Sequence, residues 1–416
     1  MRFLTVFYKT KIIIICTLTI VLGACSLSDM ENQSFNLYVH EEVEWNFLIY
    51  MAADNNLERF GIQNLKALQT IGSSENVNIL VLFDRSGGYD RTEGNWSDTR
   101  LFFVSKTPQN MNDDCILECG ELDMTSANNL YTFLETVNQY FPAKHTVLDL
   151  WSHGRGVYPD GIIFRSVIED YTTGYGAVNM MSIHNLAECI KKYEKEYNKR
   201  IDIFMFDACD MQMIEICYQL RDLTDFVIGS ETSVPGAGSD YESIAIFFNN
   251  NNIFSSRELA CFLVNAVSTA SVDYSYSVID TNLLDIFVVQ FNRWCAELMS
   301  KLPACYDEII GKRAAMATVE SAYPEFIDLY EFISAFDEFE EKNGLMRMLL
   351  NLIVCNNSTG EFKNKTKGLS INFPYKENDI AFYSKQDSCY KRLDFYEDSL
   401  FDEFLIKLWN EQACKN

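Results

Sequence analysis

A chain of 416 residues, 48% hydrophobic and 14% aromatic, carries enough apolar side chain for a sizeable core, in one large domain with a smaller one or in two domains. That composition excludes wholesale disorder. With 59 acids against 34 bases the formal charge is −25, which speaks against nucleic acid as a partner, because Lys and Arg supply the electrostatic part of such binding; an acidic surface draws cationic partners or simply keeps the chain soluble.

The chain opens on a targeting pattern. Arg2, Lys9 and Lys11 form a positive region ahead of the uncharged apolar run 12–21, which is shorter than the roughly 20 residues of a membrane span. Leu22-Gly23-Ala24-Cys25 follows and resembles the bacterial lipobox, in which the cysteine becomes the first mature residue and is lipidated. The expectation is a signal peptide over 1–24, a lipid anchor on Cys25 and a polar, acidic tether over 25–42. Of thirteen cysteines, Cys16 and Cys25 belong to this segment. The other eleven show no CxxC and no metal-type spacing, so most read as buried apolar residues.

Strand and helix patterns then alternate. Residues 46–53, 77–83 and 100–105 read as strands, 125–141 as an amphipathic helix opened by a Thr125-Ser126 cap, and 146–151 as a strand. A charged helix over 182–198, a strand over 201–206, a helix over 211–221 and a strand over 225–229 come next. Near-continuous apolar strands between helices imply a mostly parallel sheet covered on both faces. Beyond 255 helices dominate, at 255–272, 282–302, 326–336 and 345–354, before a strand-like 368–374 and a helix at 401–409.

Two of these strands stop at reactive side chains. Val147-Leu-Asp-Leu-Trp-Ser-His153-Gly154 ends in an imidazole, and Ile201-Asp-Ile-Phe-Met-Phe-Asp207-Ala-Cys209-Asp210 in a thiol. Ligands of open parallel sheets bind beyond the carboxyl ends of the strands, so His153 and Cys209 should face one pocket. That pairing suits a cysteine nucleophile working through a thioester. A helix starting just after Cys209 would add the positive end of its dipole to the thiol, against the charges of Asp207 and Asp210. Gly154 lets the backbone approach a substrate, and the N–H groups of Gly154 and Cys209 are candidate oxyanion donors. A lone cysteine after a strand is more often a buried structural residue; its pairing with His153 is what raises it. The Gly/Pro-rich loop Glu231-Thr-Ser-Val-Pro-Gly236-Ala-Gly238-Ser-Asp240 directly follows a strand and should line the pocket. No GxSxG, P-loop or HExxH is present, and four histidines without CxxC make zinc improbable; no metal ligand set is assigned.

These segments resemble the clostripain family of cysteine peptidases, relatives of caspases, legumains and gingipains. The resemblance also rests on Trp45-Asn-Phe-Leu-Ile-Tyr-Met-Ala-Ala-Asp54-Asn55-Asn56-Leu57-Glu58, on Gly229-Ser-Glu231-Thr with Pro235-Gly236-x-Gly238, and on Gly368-Leu-Ser-Ile-Asn-Phe-Pro374. It implies an α/β fold, a caspase-like α/β/α sandwich, with a catalytic core over 43–280 and a helix-rich region over 281–416 packed on it. His153 and Cys209 match the family's catalytic dyad. Asp207 matches an acid lining the S1 pocket, which receives a P1 Arg or Lys, with Glu231 and Asp240 as further candidate acids for that pocket. Self-cleavage after a basic residue is implied too, with Arg165 the candidate, as is calcium dependence in some members; the chemistry itself needs no cofactor. Arg155 and Ser239-Asp240 depart from the usual pattern. The expected protein is a monomeric, exported, lipid-anchored endopeptidase of the cell envelope, acting on proteins or peptides. Two other readings remain: a non-catalytic surface binding lipoprotein on a peptidase fold, and a cysteine hydrolase of a non-peptide acyl bond.

Overall fold

A strand apolar at every position is buried on both faces and belongs inside a covered sheet. The computed structural model describes residues 38–157, 159–160, 163–164, 166–171, 179–251, 254–267, 273–320, 323–336, 339–374 and 389–415, and the apolar runs lie in the middle of its main sheet. In chain order the strands are β1 Val43–Ala53, β2 Val77–Arg85, β3 Thr99–Phe103, β4 Cys115–Gly120, β5 Ala143–Trp151, β6 Pro159–Asp160, β7 Ile163–Phe164, β8 Val167–Asp170, β9 Asn179–Met181, β10 Ile203–Asp207, β11 Phe226–Gly229, β12 Ser275–Asp280, β13 Thr318–Glu320, β14 Tyr323–Asp328, β15 Ile353–Ser358 and β16 Ser370–Asn372. Nine form one sheet in the order β15-β12-β11-β10-β5-β1-β2-β3-β4. The five strands from β11 to β2 run parallel, and antiparallel strands close both margins.

Alternation along each strand sends side chains to two helical layers. Phe47, Ile49 and Met51 of β1 pack with Ile62, Leu65 and Leu68 of α1 (Glu58–Gln69) and with Ile244 and Phe248 of α5 (Tyr241–Asn250). Tyr50 points the other way, to Phe133 of α2 (Ala127–Tyr140) at 6.1 Å between ring centres, and α3 (Ile183–Tyr197) lies beside α2. This is the expected α/β/α sandwich.

Several boundaries differ from the sequence reading. The expected helix at 211–221 shrinks to α4 (Ile214–Gln219), and residues 208–213 turn or extend ahead of it. The expected helix at 326–336 starts as strand β14; Asp328 then caps α9 (Leu329–Ser334) by accepting the Glu331 N–H at 2.7 Å. The helix expected at 345–354 is α10 (Lys342–Leu352), which runs straight into β15, so the C-terminal region supplies an edge of the main sheet. Helix α6 (Ser256–Asn265) fills the start of the expected 255–272, and α7 (Leu284–Lys301), followed by α8 (Tyr306–Ala315), fills most of the expected 282–302. No helix among the described residues is long and apolar enough to cross a membrane.

Candidate active site

Register decides where the reactive residues fall. In the parallel pair β5–β10, Trp151 stands opposite Asp207. His153 and Cys209 each lie two residues further on, so adjacent strands deliver them side by side at one edge of the sheet. Both line a cavity of about 190 Å³, together with Trp151, Asp207, Val234, Pro235, Gly236 and Gly238. The two loops are in close contact. A Cβ on Gly154 would sit 2.2 Å from the Cys209 carbonyl oxygen, so only glycine lets the His153 loop lie this near Cys209.

The imidazole is held from behind. Its Nε2 is 2.7 Å from Asn56 Oδ1, so Nε2–H donates to Asn56, a tautomer assigned from this bond, and Nδ1 remains the basic nitrogen. Glu169 stands 4.0 Å from the same ring nitrogen and is paired with Arg155 at 3.7 Å. Partial burial, and secondarily the Arg155 charge, push the His153 pKa down to about 4, so the ring is neutral near pH 7 and ready to take a proton. Asn56 is the partner that sequence reasoning passed over. It stood in the Asp-Asn-Asn-Leu segment without a role, 97 residues before His153.

Cys209 sits in a turn, with Asp210 after it at φ +60. Helix α4 begins only at Ile214 and spans six residues, so the expected helix dipole does not act at the thiol. Instead Cys209 Sγ accepts the Val234 N–H at 3.2 Å, a bond that favours the thiolate. Asp210 N–H to Thr232 O and Gln212 N–H to Ser230 O lace the turn to the loop that follows β11.

Asp207 is 4% exposed, and its carboxylate accepts three hydrogen bonds: Ser239 N–H at 2.8 Å, Tyr241 O–H at 3.0 Å and Tyr276 O–H at 2.9 Å. Tyr241 Oη also lies 2.7 Å from Asp149 Oδ2. Burial raises the pKa of both acids, and the Asp207 charge raises Asp149 further. The two cannot both ionise cheaply at this range, so Asp149 keeps a proton while the three donors hold the charge on Asp207. Gly238, at φ +61, passes so near that a Cβ would lie 2.4 Å from Asp207 Oδ2.

The other candidate acids do not reach the cavity wall. Glu231 is buried beside Asp328, accepting the Gly368 N–H at 3.0 Å, and Asp240 caps α5 through the Ser243 N–H at 3.1 Å. Cys25 and Arg165 lie outside the described residues.

A sequence profile of the clostripain family matches residues 49–409. The chain belongs to the clostripain family. Clostripain from Hathewaya histolytica is 25% identical over 218 residues, which are 47% of this chain and 40% of that protein, so the chain spans less than half of that relative's length. A secreted cysteine protease from Bacteroides thetaiotaomicron, solved with an irreversible peptide inhibitor, superposes with a TM-score of 0.65 at 20% identity, covering 85% of this chain and 99% of the other. An inactive zymogen protease from Parabacteroides distasonis gives 0.63 at 22%, covering 86% and 99%. At these identities the two structures speak for the clostripain-family fold alone.

Proposed function

We propose that this clostripain-family chain is a cysteine endopeptidase that cleaves after Arg or Lys. The observation carrying the proposal is the matched pair of strand ends, with His153 and Cys209 two residues past paired positions and a buried carboxylate, Asp207, in the same cavity. The Cys209 proton passes to His153 Nδ1 as sulfur attacks the scissile carbonyl, and N–H groups of Gly154 and Cys209 stabilise the oxyanion. His153 then gives that proton to the departing amine as the C–N bond breaks, leaving a thioester. Water, deprotonated by His153, hydrolyses the thioester and restores the thiol. A P1 guanidinium or ammonium would neutralise Asp207, and the planar fork of Arg should be favoured over Lys.

Export and lipidation at Cys25, self-cleavage after Arg165, and a division into a catalytic core over 43–280 with 281–416 packed on it belong to the same proposal. They are supported by the lipobox-like Leu22-Gly23-Ala24-Cys25, by the basic residues between His153 and Cys209, and by the family resemblance. The test is a set of peptides differing only at P1, incubated with the mature protein with and without a thiol alkylator. Alkylator-sensitive cleavage after Arg, weaker after Lys, is expected. Cleavage that survives alkylation, or that ignores basic residues, would overturn the proposal.

A further inference from the structure

Beside Asp207 lies a second acid that the proposed chemical steps do not use. Asp149 of β5 is fully buried and joins Asp207 by two contacts. Its Oδ1 accepts the Asp207 N–H at 3.3 Å, and its Oδ2 lies 2.7 Å from Tyr241 Oη, which is itself 3.0 Å from Asp207 Oδ2. A tyrosine hydroxyl has a single proton to donate. Two carboxylate oxygens within hydrogen-bond distance of the same Oη therefore need a second proton, carried by one of the acids. Asp207 already accepts the Ser239 N–H and the Tyr276 O–H, so the proton belongs to Asp149. Asp149 Oδ2–H then donates to Tyr241 Oη, and the Tyr241 O–H donates to Asp207.

The surroundings of Asp149 favour that proton. In register it stands between Ile49 of β1 and Met205 of β10, both apolar. The titratable groups that face it are Asp207, Tyr241 of α5 and Tyr276 of β12, and the charge that bears on it is that of Asp207. Burial and one negative neighbour are thus what keep it from ionising. Of these four groups, Asp207 alone lines the cavity. A cation entering the cavity meets Asp207 first and cancels the negative field that holds the proton on Asp149.

We infer that Asp149 holds a proton that a cationic P1 side chain displaces on reaching Asp207, so that substrate binding is coupled to proton release. The inference rests on the proposed S1 role of Asp207. The proton leaves through the hydroxyl between the two acids. Tyr241 Oη takes the Asp149 proton and passes its own to Asp207 Oδ2, which gives it to water as the cation arrives. Both carboxylates are then ionised, Tyr241 donates to Asp149, and the P1 cation supplies the positive charge that the proton supplied before. Because the free chain holds this proton and the complex does not, affinity for a P1 cation rises with pH as the acid pair titrates. A neutral P1 side chain leaves the proton in place.

The test uses the full chain carrying Cys209→Ala, which binds a peptide without cleaving it, and two peptides that differ only in having P1 Arg or its neutral isostere citrulline. Titration calorimetry in two buffers of different ionisation heat counts the protons released on binding. The Arg peptide is expected to bind more tightly than the citrulline peptide and to release up to one proton, its affinity rising with pH by up to about tenfold per unit. The citrulline peptide should release none. Asp149→Asn, added to the same chain, keeps both contacts, since its amide donates to Tyr241 Oη and its carbonyl accepts the Asp207 N–H. It should still prefer Arg, with no proton released and an affinity flat in pH. Tighter binding of Arg without proton release, or release that persists in a folded Asp149→Asn, would overturn the inference while leaving the P1 assignment standing. Equal binding of the two peptides would overturn both.

Discussion

Gly154→Ala probes the contact between the loops that carry His153 and Cys209. The added methyl would lie 2.2 Å from the Cys209 carbonyl oxygen and 3.0 Å from both the Ala208 Cβ and the Cys209 nitrogen. Real Cβ contacts essentially never fall below 3.0 Å, so the loops must part by about 0.8 Å. A displacement near 1 Å between reacting groups costs about 10²-fold in rate. The backbone at 154 is outside the left-handed region, so alanine brings no conformational penalty of its own. Overpacking costs about 1–3 kcal/mol, less than the 5–15 kcal/mol of a typical domain, and the variant should fold. Steady-state hydrolysis of a fluorogenic peptide ending in Arg, alongside a thermal melt, separates the two effects. A kcat lowered about 100-fold with a retained cooperative melt is expected. Turnover within about threefold of wild type would show that the contact does not position the dyad.

Arg155→Ala removes a cation that depresses the His153 pKa and is an ion-pair partner of Glu169 beside the ring; both losses favour the imidazolium. The acid limb of kcat/KM against pH should therefore move up from about 4 towards the ordinary histidine value of 6.5, and a limb that stays or falls would contradict this. Asp207→Asn should weaken cleavage after Arg by roughly 10- to 100-fold, the worth of one charged hydrogen bond, while barely changing alkylation of Cys209 by a small reagent. Equal losses in both assays would place the effect at the thiol rather than in substrate binding. Burial raises Glu231 and holds Asp328 at about 6. Raised carboxyl pKa values mean that the stability this pair contributes is present in acid and lost as pH rises through them. Glu231→Gln keeps an acceptor for the Gly368 N–H and donates to Asp328, so it should raise the melting temperature at pH 8 more than at pH 5. An equal fall at both would refute the pairing.

Legibility in the sequence followed burial. Strands β1, β2, β5 and β10 stood out because parallel strands covered on both faces are almost wholly apolar, and His153 and Cys209 stood out because they end two of them. The margins were less visible. Strand β12 mixes serines with Tyr276, Val278 and Ile279, and β15 is partly exposed and turns polar after Cys355, so its apolar start reads as the tail of the preceding helix. The switch from β14 to α9 depends on Asp328 acting as a cap, a role that Phe-Ile-Asp-Leu does not announce. Residues that position the site were hidden for another reason. Asn56, Asp149, Tyr241 and Tyr276 reach His153 or Asp207 across 34 to 97 residues, and no local pattern encodes such contacts.

The assignment of Cys209 and His153 is tested most directly by mapping the adduct of an irreversible peptidyl inhibitor ending in Arg. Tryptic mass spectrometry of the inactivated wild-type chain should find one inhibitor per molecule, on Cys209, and the adduct should form far more slowly in His153→Ala. Inactivation with the inhibitor on another residue, or wild-type peptide hydrolysis by Cys209→Ala, would contradict the account.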